Sequence, residues 1–308
     1  VARYIGERLL RMIPVLLLLS MLVFSMMHFL PGDPAAVMLN ESAALSKEAI
    51  EALRERLGLN DPFYVQYWRF ISRAMQGDFG RSIQTNRPVL PEIWAVYPST
   101  LQLALASLVV AGVVGVTLGV VAALNQNTPI DSVSMIIALA GVSMPIFWVG
   151  LLLILVFSLY LGWFPITGQG GWKRLVLPAV SLGWGSAGII ARLTRASLLE
   201  VLRQEYIVTA RAKGLRGRIV IVEHALRNAF IPVITILGLQ FGNLLGGTVI
   251  TETVFARQGI GLLAVNAILV KDFPLVQGTI FVAAISYMLV NLGVDVLIAA
   301  LDPRIQYR

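Results

Sequence analysis

The 308-residue chain has no cysteine at all. Disulfide scaffolds, thiolate metal sites and cysteine nucleophiles are therefore excluded. Histidine is almost as scarce. His28 and His224 are the only two, and their separation in sequence speaks against a catalytic zinc site. Charge is thin as well: 13% of residues are Asp, Glu, Lys or Arg, against about 25% in an ordinary soluble domain. There is no Gly-Lys-Ser/Thr loop of the phosphate-binding kind, so the chain itself does not bind and hydrolyse ATP through that motif. What replaces charge is apolar sequence, 57% of the chain, far more than a soluble core consumes. This composition is that of an integral membrane protein.

The net charge of +7 is a membrane signature too, because cytoplasmic loops accumulate Lys and Arg. No long basic run or recognition motif accompanies it, so nucleic acid is not an expected partner. Arg3 to Arg11 followed by an apolar run has the outline of a signal peptide. Met12–Leu30, however, lacks a small-residue cleavage site and ends in Pro31-Gly32-Asp33-Pro34, and it is read as a retained span.

Six segments predict membrane helices: Met12–Leu30, Leu101–Leu124, Met135–Leu161, Leu175–Ala191, Phe230–Ile250 and Leu275–Leu301. The fourth is short and Gly-rich. Alternation puts both termini on one side. Of the 24 Lys and Arg, three precede the first span, eight fall in Arg192–Ala229 and two follow the last span, which predicts that both termini are cytoplasmic. The expected fold class is thus all-α and polytopic. Residues 1–30 hold the N-terminal segment and first span, 31–98 an extracytoplasmic helical insertion, and 99–308 a five-helix core with a cytoplasmic loop at about 192–229.

In the insertion, Ser46–Leu57 has helical spacing with Gly58 as its stop. Asp61 and Pro62 read as N-cap and first position of an aromatic-rich helix that ends near Gln76 and Gly77. Such a lobe is either a docking element or a plain spacer.

Within the spans, Gly238, Gly242 and Gly246 lie four residues apart on one helix face, with Gly247 beside the last; Gly115 and Gly119 repeat the device. The spacing predicts close helix packing, or a smooth face along which helices shift during gating. Gln240 and Asn243 near the same face require either interhelical hydrogen bonds or a wet pathway. Asp295 reads as the ionisable residue well inside a span. A structural pairing fits it better than a proton relay, since no second relay group accompanies it. An intramembrane enzyme would need a base for Ser107, Ser143 or Ser286, and the spans offer no histidine beside them.

Between Arg192 and Asn228 the pattern becomes amphipathic. Leu198, Leu199 and Leu202 form an apolar stripe, and Arg195, Arg203 and Arg211 read as solvated. Gly214 supplies a stop and Arg216–Arg218 a turn. A second short helix then carries Val220, Val222 and Ala225. This is a basic helical hairpin at the membrane surface, suited to a soluble partner or to anionic lipid.

These residues carry a resemblance to a known family. Pro31-Gly32-Asp33-Pro34, Ser143-Met144-Pro145, Arg192-Leu193-Thr194-Arg195, Thr209-Ala210-Arg211-Ala212-Lys213-Gly214, His224-Ala225-Leu226-Arg227-Asn228 and Asp302-Pro303-Arg304 occur in an ordered series along the whole chain. The series resembles the peptide-type permeases of binding-protein-dependent ABC importers, the dipeptide and oligopeptide subgroup. One departure is plain: the Glu-Ala-Ala triplet of the wider family is replaced by Val208, Thr209 and Ala210.

The resemblance implies a non-catalytic half of a translocation pore, in a bacterial or archaeal cell membrane. Its implied partners are a second similar permease, two ATP-binding subunits that hold ATP and magnesium, and an extracytoplasmic substrate-binding protein. It implies that Glu205, Tyr206, Thr209, Ala210, Arg211, Lys213, Gly214 and Leu215 meet an ATPase, with Leu215 as an apolar knob. Short peptides are the implied cargo, with glutathione, nickel chelates and oligosaccharides as alternatives. A self-contained channel is the rival reading, and it leaves the hairpin without a purpose.

Overall fold

The computed structural model describes residues 2–29, 51, 54–55 and 60–301. Pro31-Gly32-Asp33-Pro34, most of the expected Ser46–Leu57 helix and the Asp302-Pro303-Arg304 landmark lie outside them. The described residues are helical almost throughout, and contain five helices long and apolar enough to cross a membrane, or six if one bent pair counts as a single span. Two compact units divide them: 1–98 with 259–288, and 99–258 with 289–308.

In the first unit, α1 (Ala2–Phe29) carries the first apolar run and α2 (Phe63–Ala74) packs beside it. The helix α2 begins one residue later than the sequence predicts, with Pro62 as the N-cap. Asp61 does not cap it. Its carboxylate instead takes a hydrogen bond from Arg69 at 2.7 Å. Gly77 ends the turn as expected, at φ +78°. Phe24 of α1 meets Phe63, Tyr67 and Phe70 of α2 with ring centroids 5.2–5.6 Å apart.

The same unit holds the first turns of α3 (Val89–Leu124), a short apolar helix α9 (Ile260–Leu269) and the start of α10 (Phe273–Leu301). Val89, Ile93, Ile260, Ala267, Leu275 and Val276 form its core. Asp272 caps α10: fully buried, it accepts from the Leu275 N–H at 3.3 Å and from the Ser82 hydroxyl at 2.5 Å. Hydropathy reading alone misses α9, because ten residues are too few to span.

The second unit is built around α6 (Lys173–Leu202), the segment that looked weakest in sequence. It is 30 residues long and the most buried of the candidate spans. Its small residues explain why. A Cβ on Gly183 would lie 2.6 Å from the Ser107 carbonyl oxygen of α3. Conversely, Cβ atoms on Gly115 and Gly119 of α3 would lie 2.7 Å and 2.6 Å from the carbonyl oxygens of Ala187 and Ala191. The packing expected of Gly115 and Gly119 is therefore present, backbone against backbone.

The third predicted span is not one helix. It divides into α4 (Pro129–Ser143) and α5 (Ile146–Tyr160), bent by 110° at Met144-Pro145. Pro145 cannot donate into the preceding helix, and Met144 before it is forced into an extended conformation (φ −86°, ψ 133°). Pro98, read as the end of the insertion, does not act as a boundary but lies inside α3, and Pro232 lies inside α8 (Gly217–Val254). Helices in membranes accommodate proline because neighbouring groups re-satisfy the freed carbonyl.

Candidate coupling hairpin and its supports

The chain leaves α6 at Arg203, extends through Gln204, and turns into α7 (Glu205–Ala212). The amphipathic stripe read after Arg192 is the continuation of α6 rather than a separate helix. Leu198 is fully buried there, with Leu199 and Leu202 packed beside the core it joins. The second helix of the hairpin is likewise the opening of α8, which passes through a π-helical stretch at Val220–Leu226. Val220 and Ala225 turn inward, while Val222 is exposed.

Helix α7 seats itself with two side chains. Ile207 and Ala210, three residues apart, are buried in a core with Ala123, Leu198, Val220, Ala225 and Ala229. The small alanines let three helices approach. Ser197 of α6 donates to the Ala229 carbonyl of α8 at 3.0 Å and clamps the two stems.

What remains outward is a continuous face. Glu205, Tyr206, Val208, Thr209, Arg211, Lys213, Gly214 and Leu215 are all exposed. Ala210 is the exception among the residues named from sequence: it faces inward and serves the seat. Tyr206 is held rather than free, since Asn228 donates to its hydroxyl at 2.8 Å and to the His224 carbonyl at 3.1 Å. The His224–Asn228 landmark thus has a geometric role, with Ala225 in the core and Asn228 gripping α7.

The end of α7 is a Schellman turn. The Gly214 N–H donates to Arg211 O at 3.0 Å and the Leu215 N–H to Ala210 O at 3.4 Å, with Gly214 at φ +75°. A Cβ at 214 would meet no other atom within 4 Å, so the backbone angle is what calls for glycine here.

Arg195 overturns its sequence reading. It is not solvated on a free face but donates from Nε and Nη2 to the two carboxylate oxygens of Asp131, at 2.7 Å and 2.6 Å. The Asp131 side chain is only 7% exposed. The Asn127 N–H adds a third bond at 3.1 Å. This fork ties the first turn of α4 to α6, two turns before the hairpin begins.

Of the residues expected along a pathway, Gln240 is buried and accepts from the Ser186 hydroxyl of α6 at 3.1 Å. Asn243 is exposed, with its amide 3.5 Å from Gln240 Oε1. The Gly238, Gly242 and Gly246 stripe is not one packing face. A Cβ on Gly238 would run into Val294 of α10, and Gly242 is buried, but Gly246 faces open space. Its neighbour Gly247 makes the contact instead, against Leu182. Helix periodicity of 3.6 rather than 4 rotates a four-residue repeat slowly off any straight neighbour.

Asp295 sits half-buried on α10 and has an interaction partner. It is not the sole deeply placed acid. Glu252, near the end of α8, is fully buried and accepts from the Thr100 hydroxyl at 2.7 Å. Arg257 follows, also buried, donating to Gln102 Oε1 at 2.8 Å. Burial pushes the Arg257 guanidinium below its ordinary pKa, and the Glu252 carboxylate draws it back up. The sequence reading missed both residues because its fifth span stopped at Ile250.

Ser107 and Ser286 hydroxyls donate to carbonyls of their own helices, Leu103 and Val282. Among the described residues, no group of three His, Asp or Glu could hold a metal ion.

Comparison with known proteins places this architecture. Residues 115–307 match the family model described as binding-protein-dependent transport system inner membrane component, and residues 1–104 match its N-terminal companion. The chain is 45% identical over 305 residues to the glutathione transport system permease protein GsiC of Escherichia coli (strain K12), covering 99% of each chain. The same figures hold for GsiC of Shigella dysenteriae serotype 1. Among solved structures, an inward-facing form of the MetNI methionine ABC transporter aligns with a TM-score of 0.59 at 19% identity, over 69% of this chain and 98% of that one. At that identity the likeness concerns the fold alone. The chain therefore belongs to the binding-protein-dependent transport system inner membrane components, as a non-catalytic, multi-pass permease subunit of an ABC importer.

Proposed function

We propose that this permease lines half of a translocation pathway and that α7 is its coupling helix. A soluble ATPase would grip the exposed face of Tyr206, Val208, Thr209 and Arg211. Its ATP-driven closure would move α6 and α8 together, because Ile207 and Ala210 seat α7 in the core shared by both stems and the Ser197–Ala229 bond ties the stems to each other. The carrying observation is this division of an eight-residue helix into a buried seat and an exposed, mixed apolar and basic face. Exposed Val208 on the helix, with exposed Leu215 just beyond its end, would give such a partner apolar surface to grip.

The proposed assembly has a second, similar permease, two ATPases holding ATP and magnesium, and an extracytoplasmic binding protein. Both termini would face the cytoplasm, on the side of the eight Lys and Arg in 192–229. The proposed cargo is a short peptide, with glutathione, itself a tripeptide, as the first to try. The full-length match to permeases named for glutathione supports that choice.

The test is uptake into proteoliposomes that hold this chain with its co-encoded permease, ATPases and binding protein. Labelled glutathione, a dipeptide, a longer peptide and chelated nickel would be compared. Accumulation of a peptide that requires both ATP and binding protein is the expected result. Flux that ignores ATP would point to a channel, and accumulation of chelated nickel alone would overturn the peptide assignment.

A further inference from the structure

We propose that Gln169 is the clasp of a strap, residues 161–172, which holds shut the end of the second unit opposite α7 and must open for cargo to pass. The clasp stands on geometry alone, and its role in passage rests on the importer reading above.

The strap joins α5 to α6. Its first part is fixed to α5, where the Trp163 and Phe164 N–H groups donate to the Phe157 carbonyl at 2.9 Å and 3.4 Å. Beyond that point the backbone has little support. Among the described residues, 166–170 make no backbone–backbone hydrogen bond. Gln169 holds this stretch. Its side-chain amide donates to the Ser99 hydroxyl of α3 at 3.2 Å and to the Gln258 carbonyl, in the turn after α8, at 2.5 Å. Its own carbonyl accepts from the Arg174 guanidinium in the first turn of α6. Gly168 and Gly170 flank it at φ +102° and +86°, angles that glycine adopts without steric cost. One residue thus gathers α3, α6 and the end of α8.

The run of the helices gives the clasp its place. The strap enters α6 at Lys173, while α7 follows the other end of α6 at Leu202. At about 1.5 Å per residue, the 30 residues of α6 put roughly 45 Å between those ends. Likewise α8 starts beside the hairpin at Gly217 and ends at Val254, just before Gln258. The two stems are therefore joined twice, through the seat of α7 at one end and through Gln169 at the other.

Both anchors of the clasp adjoin buried polar groups. Ser99 precedes Thr100, which donates to the buried Glu252, and Gln258 follows the buried Arg257. The Arg257 guanidinium donates to Gln102, while its buried Nε has no hydrogen-bond partner among the described residues. Water would satisfy that group if this end parted. The closed form therefore carries a group that gains by opening. Against it stand two hydrogen bonds from one amide, each of modest net strength because water competes for it. Such a balance suits a catch that opens and closes.

The absence of cysteine makes the test direct, since a single introduced thiol is read without background. Thr100→Cys, with Gln169 or with Gln169→Ala, would be placed in nanodiscs with the partner subunits. Both would be treated with trimethylammonium-ethyl methanethiosulfonate, which does not enter lipid. The thiol should react about fivefold faster, or more, once Gln169 is alanine, in line with the loss of two modest hydrogen bonds. Equal rates would overturn the clasp. If the alanine variant does not assemble, Gln169→Glu keeps the length, loses both donors and is read in the same way.

Passage is tested with Ser99→Cys and Gln169→Cys joined by a bis-methanethiosulfonate with a two-carbon arm, which dithiothreitol releases. The cargo would be the labelled peptide that the unaltered complex accumulates. Its uptake should fall about tenfold or more when the pair is joined and return on release, as local opening requires. Unchanged uptake with the pair joined would overturn the role in passage, and failure of the pair to join would overturn the geometry. Absence of uptake by the unaltered complex would count against the importer reading, while the labelling ratio would still decide the clasp.

Discussion

The guanidinium of Arg195 grips Asp131 through both carboxylate oxygens, across 64 residues of sequence, and joins α4 to the stem of the hairpin that carries α7. The geometry is planar and two-pronged, which lysine cannot reproduce. Arg195→Lys should therefore impair ATP-driven uptake nearly as much as Asp131→Asn. The double exchange Asp131→Arg with Arg195→Asp should restore part of it. Uptake and ATP hydrolysis measured together would check this. Full activity in both single variants would show that the fork is ornamental.

Gly119 and Gly246 make opposite predictions from the same chemical change. A Cβ on Gly119 would lie 2.6 Å from Ala191 O and from Thr194 Cβ, so Gly119→Ala should destabilise by about 1–3 kcal/mol, the usual range for overpacking. Gly246 faces open space within a helix, and Gly246→Ala should be neutral or stabilising by about 0.5–1 kcal/mol. Unfolding of each variant by SDS titration in mixed micelles measures both. Equal effects would contradict the assignment of packing to α3 and α6.

Glu252 is fully buried and bonded to Thr100. Glu252→Gln keeps an acceptor of the same shape and should be mild. Glu252→Leu strands the Thr100 hydroxyl and should cost about 1–3 kcal/mol. The same micelle titration ranks the two, and a reversed order would contradict the account.

Gly214 occupies a left-handed backbone angle with room around it. Gly214→Ala should cost roughly 1–2 kcal/mol of local order, whereas Asn tolerates that region better. Co-purification of the ATPases should fall in the order Gly, Asn, Ala at this position, and Gly214→Asp should weaken it through the negative charge it sets beside Arg211 and Lys213. Full retention with Gly214→Asp would remove the turn from the coupling site.

Local signals were legible in the sequence and distant ones were not. Gly77 and Gly214 announce turns because positive φ is a one-residue property. The family resemblance points to the residues of α7 but not to which of them turn inward, and Ala210 is buried. Pro145 also carried its signal, but the apolar run on either side of it reads as one span, because hydropathy does not register direction. Asp131 and Arg195 could not be paired on paper: each reads as an ordinary loop or surface charge, and only the packing of α4 on α6 brings them together. Glu252 escaped because an apolar window ends where polar residues begin, even when the helix carries them into a buried position. The glycine stripe read as one face in four-residue steps, and the true period of the helix turned Gly246 outward and Gly247 inward.

The most direct test of the coupling claim is capture of the ATPase subunits by the reconstituted chain, compared with Val208→Asp and Leu215→Asp. Both side chains are exposed, so neither substitution should alter unfolding of the permease itself. Loss of captured ATPase and of ATP-driven uptake, with unfolding unchanged, is the predicted result. Full capture and full uptake by both variants would contradict the placement of the coupling surface on α7.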